Sequence, residues 1–162
     1  MNHWIVFIHI LSAFIFTLSH GASTKVILKI KGEKSPERLT ALLDLSADYV
    51  NVFYASLGVM LLAGIANSFL GKWWGSIWIW VGLALLLVIS FAMYFMGTIP
   101  MTRLRNVMGL GQRVGTKSQA ANPKASEEEI TASLAAIKPG VIAVIGYGGL
   151  TLIVWLMVFK PF

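Results

Sequence analysis

The stretch Ile77–Met96, IWIWVGLALLLVISFAMYFM, carries no charged residue. At 1.5 Å rise per residue, such a run makes about 30 Å of helix, the thickness of a bilayer's hydrocarbon core. Hydrocarbon offers no partner to a backbone N–H or C=O, so a segment crossing it closes its hydrogen bonds internally, as an α-helix. Three further runs have the same character. One extends from Trp4 through the uncharged stretch to Ser19 and on through His20 to Ser23; the others cover 50–70 and 141–159. The reading is an all-α polytopic membrane protein: a bundle of four transmembrane helices over about 4–23, 50–70, 77–96 and 141–159, forming one membrane domain over 1–162.

Composition agrees and closes off other classes. Hydrophobic residues make up 57% and charged residues 12%, with mean hydropathy +0.75; a soluble domain carries roughly 25% charge. Disorder needs the opposite balance. With no cysteine, neither a disulfide scaffold nor a thiolate metal site is available. No internal repeat or low-complexity tract occurs. The first span has no Lys or Arg before its apolar core, unlike a signal peptide, so it is read as a retained span although Gly21-Ala22-Ser23 faintly resembles a cleavage site.

The basic residues set the orientation. Lys25, Lys29, Lys31, Lys34 and Arg38 follow the first span, and Arg103, Arg105, Arg113, Lys117, Lys124 and Lys138 separate the third from the fourth. Of the 13 basic residues only Lys72 and Lys160 lie elsewhere. The positive-inside rule puts loops 24–48 and 98–138 in the cytoplasm and both termini outside. Trp4, Trp73, Trp74, Trp78 and Trp80 then fall at or near the outer interface, where indole rings settle. The net charge of +6 is thereby a topology signal with some affinity for anionic lipid, and no nucleic-acid partner is expected.

Both cytoplasmic loops carry helix signals. Ser35-Pro36-Glu37 supplies an N-cap, a proline at the first helical position and an acid in the first turn, ahead of Leu39, Leu42, Leu43 and Ser46. This predicts an interfacial helix that can run on into the second span. Ser126 and Glu129 form a capping box before Ile130, Leu134 and Ile137, in a helix ending near Lys138-Pro139-Gly140. Residues 107–125, rich in Gly, Lys, Ser and Asn, are expected to be the flexible segment.

Ionisable groups inside a span are costly and point to function. Only the first span has them. From His9 to His20 is 11 residues; at 100° each this is three turns plus about 20°, so both imidazoles share a face, roughly 16 Å apart. Ser12, Ala13 and Phe16 lie on the same stripe, which is expected to face helices or a cofactor. One histidine near each leaflet suits axial ligation of haem b or a chlorophyll-type pigment, with Ser12 and Phe16 lining the site. The second ligand would come from a methionine (Met60, Met93, Met96 and Met157 by type), a second copy or another subunit. The plainer reading is that each imidazole hydrogen-bonds a serine, a carbonyl or water between helices. Copper or proton handling is a further alternative, though copper lacks a thiolate or clustered methionines. Gly58, Gly64, Ser68, Gly146, Gly148 and Gly149 read as helix-packing positions. Asn51, Tyr54 and Asn67 need polar partners; His9 could reach Asn67 from a neighbouring helix, and Asp48 could pair with Arg103 or Arg105. No nucleophile–base pair, phosphate loop or zinc motif is present.

The runs Phe7-Ile8-His9-Ile10-Leu11-Ser12-Ala13, Ser19-His20-Gly21-Ala22-Ser23, Pro36-Glu37-Arg38 and Leu42-Leu43-Asp44-Leu45-Ser46 resemble the bacterial integral membrane proteins of domain-of-unknown-function family 2269. The resemblance covers the first span and the loop after it, and the four-span plan more loosely. It implies a bacterial cytoplasmic membrane protein with no assigned activity. It is distantly similar to the copper-resistance D membrane proteins and to the HemJ-type protoporphyrinogen oxidases, which are haem-associated. The latter resemblance implies an essential first-helix histidine, which His9 would match. The lysine that accompanies it there has no counterpart inside a span here.

The expectation is a small protein binding a haem-type cofactor through His9 and His20 in membrane electron transfer. The alternatives are a non-catalytic accessory subunit of a larger respiratory or photosynthetic complex, and a HemJ-like oxidase of porphyrinogen. A homo-oligomer or larger membrane complex is expected alongside the lipid bilayer.

Overall fold

A computed structural model describes residues 2–111, 113–114, 117–118 and 123–161. Helix α1 is His3–Ile30 and α2 is Pro36–Leu70. A 3₁₀ turn at Trp73–Gly75 leads to α3, Ile77–Met93, which passes through a π-helical turn at Tyr94–Thr98 into α4, Ile99–Val107. A two-residue antiparallel pair, Arg113–Val114 with Lys117–Ser118, precedes α5, Glu127–Ala136, and α6, Pro139–Phe159. Four helical runs are long and apolar enough to cross a membrane: His3–Ile30, Pro36–Leu70, Ile77–Val107 and Glu127–Phe159. Helix α1 packs along α2 and also meets α6, α3 packs on α6, and α4 on α5.

The helices outrun the expected spans. Helix α2 has 35 residues, about 52 Å of helix against a hydrocarbon core of about 30 Å. Lys25 and Lys29 sit within α1 rather than in a loop, and the Ser35-capped segment is continuous with the second span. The connection between α1 and α2 shrinks to a tight turn, where Glu33 Oε1 accepts from the backbone N–H groups of Lys34 and Ser35, each at 2.9 Å. The Ser35 N–H, then that of Lys34 and the charge of Arg38, hold this carboxyl below the usual glutamate range.

The buried core gathers at the end of the bundle that carries the basic residues, not along its middle. Ile30, Leu43, Leu104, Ile137 and Ile142 are fully buried, surrounded by Val26, Ile27, Leu39, Met101 and Met108. Five helices contribute, or flank it directly: α1, α2, α4, α6 and the end of α5. Ser126 and Glu129 form the reciprocal capping box, and the helix they start stops at Ala136, before Pro139 opens α6. The Ala125 N–H donates to the Val107 carbonyl at 2.8 Å, joining the ends of the long connection. The flexibility expected of 107–125 centres on residues outside the described ones.

The opposite end is aromatic. Lys160 Nζ lies 4.5 Å from the centre of the Trp73 ring and 5.4 Å from that of Trp78, tying the end of α6 to the α2–α3 turn. Trp80 Nε1 donates to the Trp74 carbonyl at 3.0 Å. Gly71 is required there, since a Cβ would sit 2.5 Å from the Trp73 ring.

Candidate functional site

The histidine stripe of α1 faces inward. Ser12, Phe16 and His20 are buried, while His9 and Ala13 are half-buried. The two imidazoles meet different helices, and each rests on a glycine.

His9 packs on α2. Its Nδ1 lies 2.8 Å from the Met60 carbonyl oxygen. A carbonyl can only accept, so Nδ1 carries the proton and donates, leaving Nε2 with its lone pair. A Cβ at position 64 would stand 3.1 Å from His9 Cε1 and 3.3 Å from Nδ1, so Gly64 is what admits the ring to that carbonyl. The reach toward Asn67 is not used: His9 bonds two turns away, and the buried Asn67 Oδ1 has no partner among the described residues. Met60, a candidate ligand by type, is engaged through its main chain instead.

His20 packs on α6 and α2 inside an aromatic cage. Its ring lies 5.5 Å from Tyr147, edge-on, 6.0 Å from Phe53 and 6.5 Å from Phe16, nearly parallel to the last. Phe16 and Phe53 are themselves 4.6 Å apart. His20 Nε2 has no hydrogen-bond partner among the described residues and presses on Gly146, where any Cβ would collide with it. Ser12 is spent within its own helix, donating to the Ile8 and His9 carbonyls at 2.7 and 3.0 Å.

Beside His20 runs a cavity of about 170 Å³, bounded by α1, α2, α3, α4 and α6. Phe16, Phe53, Leu57, Leu86, Ile89 and Ile153 line its apolar part; Ser46, Thr98, Thr102 and Arg105 line its end toward the basic side. The π turn borders it at Gly97. Pro100, just beyond, has no N–H to give the carbonyl four residues earlier, which accounts for the local widening of the helix. Arg105 is buried there: Nη1 donates to Asp44 Oδ1 at 3.0 Å and Nη2 to the Gly111 carbonyl at 2.9 Å, while Nε has no partner among the described residues. Its acidic partner is thus Asp44, one turn before the Asp48 considered from sequence.

These positions test the fit of a haem. An axial imidazole usually donates one ring N–H to a carbonyl or carboxylate and gives the other nitrogen to the metal. His9 has that form. His20 does not: its Nε2 abuts Gly146. Of the two imidazoles, His9 has the hydrogen-bond arrangement of an axial ligand. No cluster of three or more His, Cys, Asp or Glu side chains able to hold a metal ion occurs among the described residues. Sequence reasoning singled out the histidines but not the matching of Gly64 to His9 and Gly146 to His20, which depends on which helices are neighbours. Compared with protein-family models, curated proteins and solved structures, the chain matches none.

Proposed function

We propose that this chain is a four-span protein of the bacterial cytoplasmic membrane, N-out and C-out, of the kind gathered in domain-of-unknown-function family 2269, and that it takes part in electron transfer with a haem b held by His9. Insertion in lipid is supported by the surface. Trp4 is 74% exposed, Leu18 71%, Leu62 69% and Val144 74%, a coat of apolar side chains that water would not tolerate and hydrocarbon covers. Helix α5 would lie at the cytoplasmic interface.

The observation that carries the haem reading is the His9–Met60 bond at 2.8 Å. The Met60 carbonyl orients the imidazole, fixes its tautomer and raises the basicity of Nε2, and Gly64 leaves the ring its place. A haem b bound there would supply one-electron transfer. His3, His9 and His20 are the chain's 3 histidines, so a second axial imidazole at that depth would come from a second copy or a larger complex.

A second reading, a non-catalytic accessory subunit of a respiratory or photosynthetic complex, is favoured by the glycine seats of both imidazoles, which are what a packing role needs. A reduced-minus-oxidised absorbance spectrum of the purified full-length protein separates the two. The haem reading expects a b-type signal, lost in His9→Ala and kept in His20→Ala. No b-type signal in the unaltered protein, with His9→Ala impairing only complex assembly, gives the accessory reading.

A further inference from the structure

The geometry points to a lipid site in the cavity beside His20: a slot for one hydrocarbon chain of an amphiphile whose carboxylate or phosphate head lies at Arg105. This inference is independent of the haem reading.

Shape comes first. On α2 the lining runs from Leu43 to Leu57, about 21 Å of helix. A volume of about 170 Å³ spread over that length makes a slot, suited to a chain and not to a ring system. Its polarity is graded along the same axis. Leu57, Leu86 and Ile153 form one end; Ser46, Thr102 and Arg105 form the other.

Arg105, at the polar end, is 9% exposed with Nε unbonded among the described residues. Buried polar groups are nearly always satisfied, so this N–H calls for an acceptor-bearing occupant. Charge gives the sign of its head. Arg105 keeps a cation at the slot's mouth, where Asp44 takes one of its nitrogens and is itself 42% exposed in its side chain. That end of the bundle also carries all but 2 of the 13 basic residues, Lys72 and Lys160 being the exceptions. An oxyanion is the complementary head, and a bilayer supplies its chain at high local concentration.

The test is photolabelling of the full-length protein in phosphatidylcholine vesicles with a diazirine-bearing hexadecanoic acid, followed by mass-spectrometric mapping. Saturable labelling is expected on the Phe53–Leu57 and Leu86–Met93 segments. Hexadecanoate and hexadecyl phosphate should both compete, hexadecanol far less; the stronger anion identifies a free fatty acid or a phospholipid as the source. Arg105→Gln should weaken binding about tenfold, the loss of one charge-assisted hydrogen bond. Leu150→Trp, which fills the slot without touching Arg105, should abolish labelling while leaving the unfolding midpoint near that of the parent. Unsaturable labelling spread over outward residues such as Leu62 and Val144, equal competition by hexadecanol, or labelling that survives Leu150→Trp would each overturn the site.

Discussion

Replacing Gly146 with alanine should destabilise the bundle by about 1–3 kcal/mol, the usual range for forcing volume into a packed interface. The added methyl would collide with His20 Nε2 and stand 2.5 Å from Cε1. Phe16, Phe53 and Tyr147 flank the imidazole, so it can give way only toward the cavity beside it. The effect should be specific to that ring. His20→Ala alone removes a buried side chain and should also destabilise. In the double variant the two losses should partly cancel, with a coupling of about 0.5–3 kcal/mol, the range for residues in contact. Unfolding of the detergent-solubilised protein by sodium dodecyl sulfate, followed by circular dichroism, measures all three. Strict additivity would show that the glycine is not there for the histidine. A b-type signal held by His9 should persist in every one of these variants.

Leu104→Ala should cost about 2–5 kcal/mol, the range for emptying a fully packed leucine site. Leu104 has no exposed surface, and it joins α4 to Ile30 of α1, Leu43 of α2 and Ile142 of α6. In the proposed membrane placement that cluster lies where the long helices project past the bilayer, so its burial is from water and carries the full hydrophobic contribution. Leu62→Ala is the control: the side chain is 69% exposed, so shortening it creates no cavity. The same denaturant titration should move the midpoint strongly for Leu104 and hardly at all for Leu62. Equal shifts would contradict a core placed at the basic end.

The four spans were legible because each is a charge-free run near the length that a bilayer imposes, and nothing else in the chain has that property. Helix ends were harder to read. Lys25 and Lys29 looked like loop residues, yet charge does not interrupt a helix that has already left the hydrocarbon, and α1 continues to Ile30. Local capping chemistry was fully visible: Ser35 and Ser126 start the helices predicted for them, because a cap is a contact between near neighbours in the chain. The π turn was not, although Pro100 was its signal. The site was half legible. Periodicity put His9, Ser12, Phe16 and His20 on one inward stripe, but the partners on α2 and α6, Met60, Gly64 and Gly146, are set by packing between helices that no spacing along α1 encodes. Arg105 pairs with Asp44, one turn from the Asp48 that the sequence offered to Arg103 or Arg105, a difference of the size that an unknown helix register produces.

Every depth in this account, His9 in the outer half and Arg105 at the cytoplasmic mouth of the slot, follows from one orientation. The chain has no cysteine, so single cysteines introduced at Lys34, Lys72 and Lys124, all exposed, report it directly. In intact cells an impermeant maleimide should label the variant at 72 and spare those at 34 and 124, which should react only after the membrane is opened. Labelling at 34 and 124 with protection at 72 would contradict the account.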